Sequence, residues 1–148
     1  MEIRQITENK RDFLPLLLLA DEQEDMIDRY LDRGTLLALY DGGRLCTAAV
    51  VTDEGGGVLE LKNLATEPDC QRRGYGRAMV EHIVRSCRGQ GTRLLVGTGD
   101  SPLTIPFYEH LGFRKSHRVK NFFTDHYDHP IYEAGRQLVD MVYLAMEL

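Results

Sequence analysis

One stretch of the sequence joins a strand pattern to a helix pattern through a loop rich in glycine and arginine. Residues 58–66 have a strand pattern, and residues 74–88 place apolar side chains at helical intervals. The loop that joins them reads Gln71-Arg72-Arg73-Gly74-Tyr75-Gly76. A strand, a glycine loop and a helix in succession predict a fold in which helices pack on a sheet. They also predict a loop that holds a phosphate group.

The other patterns place this unit in a mixed sheet. Strands are predicted over residues 1–7, 35–40, 44–51, 58–66, 94–96, 114–123 and 138–148. Helices are predicted over residues 12–20, 22–33, 74–88 and 104–111. The order β-α-α-β-β-β-α-β-α-β-β predicts an α/β fold with one mixed sheet, in a single domain over residues 1–148.

Composition excludes several classes of protein. The chain has 148 residues, of which 43% are hydrophobic and 28% charged, so a buried core is expected. It lacks an apolar run long enough for a membrane span and a signal peptide, so we expect a cytoplasmic protein. A net charge of −5 argues against nucleic acid as a partner and suits a cationic substrate. The three cysteines form no CxxC pair, which argues against a disulfide framework and a cysteine zinc site.

Two common phosphate-binding loops do not match this sequence. A P-loop requires a Lys-Ser/Thr pair after its last glycine, and neither Gly74 nor Gly76 is followed by one. A dinucleotide fingerprint requires a third small residue, but Met79 occupies that position. The pattern recurs at Gly97-Thr98-Gly99, where Pro102 occupies it. Both fingerprints are therefore incomplete.

A third kind of loop matches at each required position. The run from Gln71 to Gly76 fits Q/R-x-x-G-x-G/A and so resembles the acyl-CoA pyrophosphate loop of the GNAT superfamily of N-acetyltransferases. Residues 63–68 resemble the end of the fourth strand in that family. Residues 107–113, Phe-Tyr-Glu-His-Leu-Gly-Phe, resemble its Y-E-x-x-G-F motif. The predicted element order is also the order of the family, so the resemblance covers nearly the whole chain.

The resemblance implies that acetyl-CoA is the co-substrate, and from the cysteine and histidine patterns we expect no metal. Glycines let the backbone approach an anion, the start of a helix attracts negative charge, and arginines add positive charge. In this family the fourth and fifth strands part, and the pantetheine arm pairs with the freed backbone. The expected cofactor-binding residues are Leu64, Ala65, Thr66, Gln71, Arg72, Arg73, Gly74, Tyr75, Gly76, Arg77, Ser101 and Phe107.

Two residues are expected to carry the chemistry, which the resemblance describes as direct acetyl transfer to a primary amine. Tyr108 is the expected general acid, since a phenol is protonated near neutrality and can donate to a leaving thiolate. Glu60 is the candidate base, and pairing of Glu60 with Lys62 or an arginine is the structural alternative. Strand alternation puts Glu60 on one face with Val58, Lys62 and Leu64, opposite Leu59 and Leu61.

The acceptor is the least defined part of the prediction. A primary amine of a small molecule or a peptide is expected, and a homodimer through the final strands is left open. Residues 121–137 form a long loop that we expect to border the acceptor site, with Asp125, Tyr127, Asp128 and Glu133 as candidates for binding a cationic amine. His126 and His129 form an H-x-x-H pair, but we predict no metal site there.

Two other functions compete with the transferase. A catalytically silent acyl-CoA sensor would keep the glycine loop and tolerate the loss of Tyr108. A nucleotide-binding module would use one of the incomplete glycine pairs.

Overall fold

The secondary structure follows the predicted order closely in a computed structural model that describes all 148 residues. The strands are β1 (Glu2–Ile6), β2 (Thr35–Asp41), β3 (Arg44–Gly55), β4 (Val58–Thr66), β5 (Arg93–Gly99), β6 (Arg114–Val119), β7 (Tyr132–Glu133), β8 (Arg136–Gln137) and β9 (Met141–Glu147). The helices are α1 (Leu14–Leu17), α2 (Glu24–Ile27), α3 (Tyr75–Cys87), α4 (Ile105–His110) and α5 (Phe122–His126). Two 3-10 turns lie at Lys10–Phe13 and Pro68–Cys70.

Seven strands form one sheet in the order β1-β2-β3-β4-β5-β9-β6, and β7 and β8 form a separate two-stranded hairpin. Only β4 and β5 pair in parallel; every other neighbouring pair in the large sheet is antiparallel. Because α3 connects β4 to β5, its N-terminus lies close to the end of β4, beyond the last residue that pairs with β5. The mixed α/β fold predicted from the sequence is confirmed.

Two cores cover the two faces of the sheet. The larger one packs the apolar stripe of α3 (Met79, Val80, Ile83, Val84 and Cys87) against the central strands. The smaller one packs α1, α2 and the turns after α2, through Leu17, Ile27 and Leu31, against the opposite face. A third, small cluster of Phe123, Ile131 and Leu138 lies within the segment that was expected to be a loop. That segment is therefore packed by its own apolar side chains.

Several predicted boundaries are wrong, and local interactions explain why. The predicted helices over residues 12–20 and 22–33 contain only four-residue α-helices, after which the chain tightens into turns with i→i−3 hydrogen bonds such as Leu19 N–H to the Leu16 carbonyl. The Lys10 ammonium ends the second segment, because it donates to the carbonyls of Leu31 and Gly34 at 3.2 and 2.7 Å.

The strand predicted over residues 114–123 ends at Val119. Asn121 has a φ of 58° and donates its backbone N–H to Asp140, so the chain turns there and enters α5. The strand predicted to begin at residue 138 begins at Met141, since Leu138 packs in the third cluster. None of the helices has the length and apolar character needed to cross a lipid bilayer.

Substitution of Phe113 tests how much the larger core contributes to the free energy of unfolding. Phe113 is 2% exposed, and its ring packs edge-on against Tyr108 with the centroids 5.6 Å apart. We expect Phe113→Ala to lower the free energy of unfolding by about 3–5 kcal/mol in urea denaturation. Val119→Ala on the exposed strand β6 is the control, with an expected change below about 0.5 kcal/mol. Equal effects of the two substitutions would contradict this packing.

Candidate active site

The site begins where β4 and β5 separate. The two strands pair in register from Val58 with Arg93 to Leu61 with Val96, and the pairing ends there although both strands continue. Beyond that point β5 stays with β9, because Gly97 has no side chain and lies directly against Met141; a Cβ there would lie 2.5 Å from the Met141 sulfur. The edge of β4 that faces β5 is therefore unpaired from Lys62 to Thr66.

The glycines of the second incomplete fingerprint serve this packing. A Cβ on Gly99 would lie 2.5 Å from a methyl carbon of Leu138, just as one on Gly97 would collide with Met141. Between them, Thr98 bonds its hydroxyl to that of Thr104. Met141 of β9 and Leu138, which precedes β9, cover the two glycines. This stretch therefore does not offer a cradle for a phosphate group.

A cavity of about 420 Å³ occupies the gap between the separated strands. One wall is the free end of β4, another is β5, and the third cluster and the hairpin close it. Residues that line it include Leu64, Ala65, Thr66, Gln71, Thr98, Tyr108, Tyr127, Glu133 and Met141. The predicted strand contacts Leu64, Ala65 and Thr66 and the predicted acid Tyr108 therefore meet in one space.

The glycine loop presents a row of free backbone donors. Arg72 and Gly74 have φ values of 63° and 82°, which turn the chain sharply before α3. None of the six successive backbone N–H groups from Arg72 to Arg77 donates to an acceptor within the protein; the next bond runs from Ala78 N–H to the Gly74 carbonyl. Free donors at the positive end of a helix form an anion site.

The side chains of the loop differ in whether they have a partner within the protein. Arg72 and Arg73 are exposed and form no salt bridge, whereas Arg77 pairs with Glu81 at 3.3 Å. Tyr75 turns away from the loop and donates its hydroxyl to Asp41 at the end of β2. The Gln71 amide donates to the Thr66 carbonyl at 3.4 Å and so ties the loop to β4.

The start of α3 approaches α4 through Gly76. A Cβ on Gly76 would lie 3.7 Å from the Phe107 ring and 3.8 Å from the Thr66 hydroxyl. Phe107 in turn packs edge-on against Tyr108, with the ring centroids 5.0 Å apart. The glycine loop, β4 and α4 therefore meet in one contact region. The small residue Gly76 leaves room for the start of α3 to lie close to α4.

Tyr108 is held as a neutral phenol at the cavity wall. It is 7% exposed, packed between Phe107 and Phe113, and its hydroxyl makes no hydrogen bond within the protein. Burial raises the pKa of Tyr108 well above its ordinary value, and the negative charge of Glu133 adds to the effect. A buried phenol with a free hydroxyl has the form required of a proton donor.

Glu60 lies beside the main cavity rather than within it. It lines a second cavity of about 120 Å³, which shares Asp21, Lys62 and Tyr127 with the first. Its carboxylate binds the Lys62 ammonium at 3.0 Å and accepts a hydrogen bond from Tyr143 at 3.3 Å. The ion pair that was the structural alternative is thus present.

The predicted alternation along β4 is wrong beyond Leu61. The pairing with β3 skips Lys62, which bulges out of the ladder between Leu61 and Asn63. As a result Leu64 packs in the same core as Leu59 and Leu61, on the face opposite Asn63, whose amide reaches the α1 side. Because Lys62 has no partner on β3, the residues of β4 that follow it lie on the faces opposite to those predicted.

Ser101 does not line either of these cavities. It is 2% exposed, and its hydroxyl accepts the backbone N–H of Leu103 at 3.1 Å in the turn that precedes α4. Asp100 beside it forms an exposed ion pair with Arg118. Ser101 therefore shapes the turn that leads to Tyr108.

In the segment 121–137, Tyr127 and Glu133 line the main cavity, whereas Asp125 and Asp128 are exposed outside it. His126 bonds to the Phe122 carbonyl, and His129 contacts Asp128 and Glu22. The structure contains no group of three His, Cys, Asp or Glu side chains arranged to hold a metal ion. The segment borders the cavity through two of the four candidate residues, together with Phe123, Ile131 and Tyr132.

Sequence reasoning missed a polar network on the α1 side. Asp21 accepts hydrogen bonds from Tyr30 at 2.8 Å and from Tyr127 at 2.6 Å, and Asn63 donates to the Tyr30 oxygen at 3.1 Å. The contacts span as many as 106 residues in sequence. The local sequence pattern contains no signal for hydrogen bonds between residues so far apart in the chain.

Comparison with known proteins identifies a family and a close relative. Residues 32–115 match the family model described as an acetyltransferase (GNAT) domain. The chain is 32% identical over 143 residues to the uncharacterized N-acetyltransferase YvbK of Bacillus subtilis strain 168. The alignment covers 95% of this chain and 92% of that protein.

Solved structures agree with this match. A GNAT family acetyltransferase from Elizabethkingia anophelis with acetyl-CoA bound has a TM-score of 0.94 and 32% identity, covering 99% of this chain and 97% of that one. A Bacillus subtilis acetyltransferase in complex with CoA has a TM-score of 0.92 and 31% identity, covering 99% and 98%. The fold similarity therefore extends over the whole chain.

Burial of Tyr108 predicts a pH dependence of stability. Its pKa in the folded protein lies above the value of about 10 in an unfolded chain, so only the unfolded state loses the proton as the pH first rises. Between about pH 9 and pH 11, the wild type should lose about 1 kcal/mol of stability relative to Tyr108→Phe. Denaturant unfolding of both proteins measures this; a constant difference would contradict the burial of a neutral phenol.

Proposed function

Because the chain belongs to the GNAT acetyltransferase family, we propose that it transfers the acetyl group of acetyl-CoA to a primary amine of a small molecule or peptide. The observation that carries the proposal is the row of free backbone N–H groups from Arg72 to Arg77. Two relatives with TM-scores above 0.9 were crystallised with acetyl-CoA or CoA, which supports the same ligand here.

The residues fit the proposed ligand in two places. The N–H groups of the loop would hold the pyrophosphate, with Arg72 and Arg73 as unpaired cations beside it. The free edge of β4 at Leu64, Ala65 and Thr66 would pair with the amide groups of the pantetheine arm, as an added strand does. Phe107 and Gly76 would form the wall between these two places.

Tyr108 is the proposed general acid. The amine nitrogen attacks the thioester carbonyl carbon, the carbon–sulfur bond breaks, and the sulfur leaves as a thiolate. A free thiol has a pKa of about 8.5, and the pKa of Tyr108 is raised, so the phenol is protonated and can donate to the sulfur. Ser101 contributes indirectly, because it fixes the turn from which α4 presents Tyr108.

Glu60 is the proposed acceptor of the amine proton. A lysine-like amine is neutral in only one molecule in about 2,500 at pH 7, so reaching that form costs about 4.6 kcal/mol. The Glu60 carboxylate is in an ion pair with Lys62 at 3.0 Å, and a carboxylate oxygen can accept a proton. Because Glu60 lies in the adjoining cavity, the proton would reach it through water.

Tyr108→Phe tests the chemistry. We expect kcat to fall about a hundredfold or more, with KM for acetyl-CoA within about twofold, since the phenol acts only in the breakdown step. Tyr40→Phe is the control; Tyr40 lies on β2 with Arg4 over its ring, away from both cavities, and its kcat should stay unchanged. Unaltered turnover of Tyr108→Phe would remove it as the acid. Binding of acetyl-CoA without turnover on any amine would favour a sensor.

The double variant Arg72→Gln/Arg73→Gln tests the anion loop. Two exposed charges near a pyrophosphate together contribute about 1.4 kcal/mol, so the Kd for CoA should rise about tenfold at low salt. Arg85→Gln removes an exposed charge from the far part of α3 and should leave the Kd unchanged. Isothermal titration calorimetry measures both; equal affinities in all three proteins would contradict the loop assignment.

A further inference from the structure

Asp21 is a carboxylate fixed at the cavity wall by two tyrosines. It lies in the turn between α1 and α2 and lines both cavities. Its Oδ2 accepts the Tyr30 hydroxyl at 2.8 Å, and its Oδ1 accepts the Tyr127 hydroxyl at 2.6 Å. The two donors come from distant parts of the chain, Tyr30 from the turns after α2 and Tyr127 from the end of α5.

The hydrogen-bond pattern sets the charge of Asp21. Asn63 donates its amide to the Tyr30 oxygen at 3.1 Å, so that oxygen accepts from Asn63 and its only proton points to Asp21. Tyr127 likewise donates its only proton to the other oxygen. Both carboxylate oxygens thus act as acceptors, which is the pattern of an ionised carboxylate, whereas burial acts against the charge and raises the pKa of Asp21 above its usual value.

No cation of the protein lies within ion-pair distance of Asp21. Asp21 makes no salt bridge with any Lys, Arg or His. Lys62, the cationic side chain in the lining of the main cavity, is paired with Glu60, and Arg33 of the second cavity is paired with Glu54. Arg29, which also lines the second cavity, is exposed and forms no ion pair with Asp21. The two tyrosine hydrogen bonds offset part of the cost of burying this carboxylate, and a cationic ligand would offset more of it.

We infer that Asp21 binds a second ammonium group of the acceptor, so that the acceptor is a diamine. The inference rests on the proposed function, in which the other amine of the same molecule receives the acetyl group near Tyr108. Apolar side chains of the same cavity, among them Leu61, Ile131 and Leu138, suit a methylene chain between the two nitrogens. Asp21 is therefore a specificity-determining residue.

The test compares 1,4-diaminobutane with 1-aminobutane, which differ by one terminal amine. The wild type should acetylate the diamine with a kcat/KM at least about tenfold higher, and the series of three to six carbons should contain the best substrate. Asp21→Asn should raise KM for the diamine about ten- to a hundredfold with little change in kcat, and leave 1-aminobutane unchanged. Asp32→Asn, an exposed residue outside both cavities that changes the net charge equally, should behave as the wild type.

Binding of acetyl-CoA to the wild type is measured first by thermal shift, because it separates the two proposals. If acetyl-CoA does not bind, the proposed function fails and the role of Asp21 fails with it. If acetyl-CoA binds but the wild type shows no preference for any diamine over its monoamine, only the inference about Asp21 is overturned. A preference that persists in Asp21→Asn overturns it as well.

Discussion

The parting of two parallel strands after four residue pairs is the constraint on which the rest of the site depends. A backbone edge that loses its neighbour must find other partners, and here the partner strand is withdrawn by its own packing, since Gly97 and Gly99 bring β5 against β9. The same parting opens the cavity beside Tyr108 and places the start of α3 at its mouth. One break in the ladder thus creates an unpaired edge, a cavity and a row of free N–H groups.

Charge is distributed unevenly around this space. Arg72 and Arg73, which form no salt bridge, belong to the loop before α3, whereas Asp21 and Glu133, two carboxylates without a salt bridge, line the main cavity. The charged residue between them on β4, Lys62, is neutralised by Glu60. An anionic ligand at the loop and a cationic one at Asp21 would each meet the complementary charge, which also favours their relative orientation. Tyr108 supplies a neutral proton donor within the same cavity.

The sequence was sufficient for the order of elements and for the glycine loop, because both are local. The apolar stripe of α3 and the residues from Gln71 to Gly76 lie within one turn or one helix of each other. It was insufficient where a contact joins distant segments or where one residue shifts the register. The bulge at Lys62 exchanged the faces of β4, and the bond from Tyr127 to Asp21 spans 106 residues. Ser101 was assigned to the cofactor, yet its hydroxyl is used in a turn.

The central claim is that the loop before α3 holds the pyrophosphate of acetyl-CoA, and a thermal-shift titration of the unmodified protein tests it most directly. Acetyl-CoA and CoA at about a hundred times their Kd should each stabilise the fold by about 2.7 kcal/mol, a shift of several degrees, whereas NAD and ATP at equal concentrations should have little effect. Stabilisation by NAD or ATP alone, or by none of the four, would contradict the account.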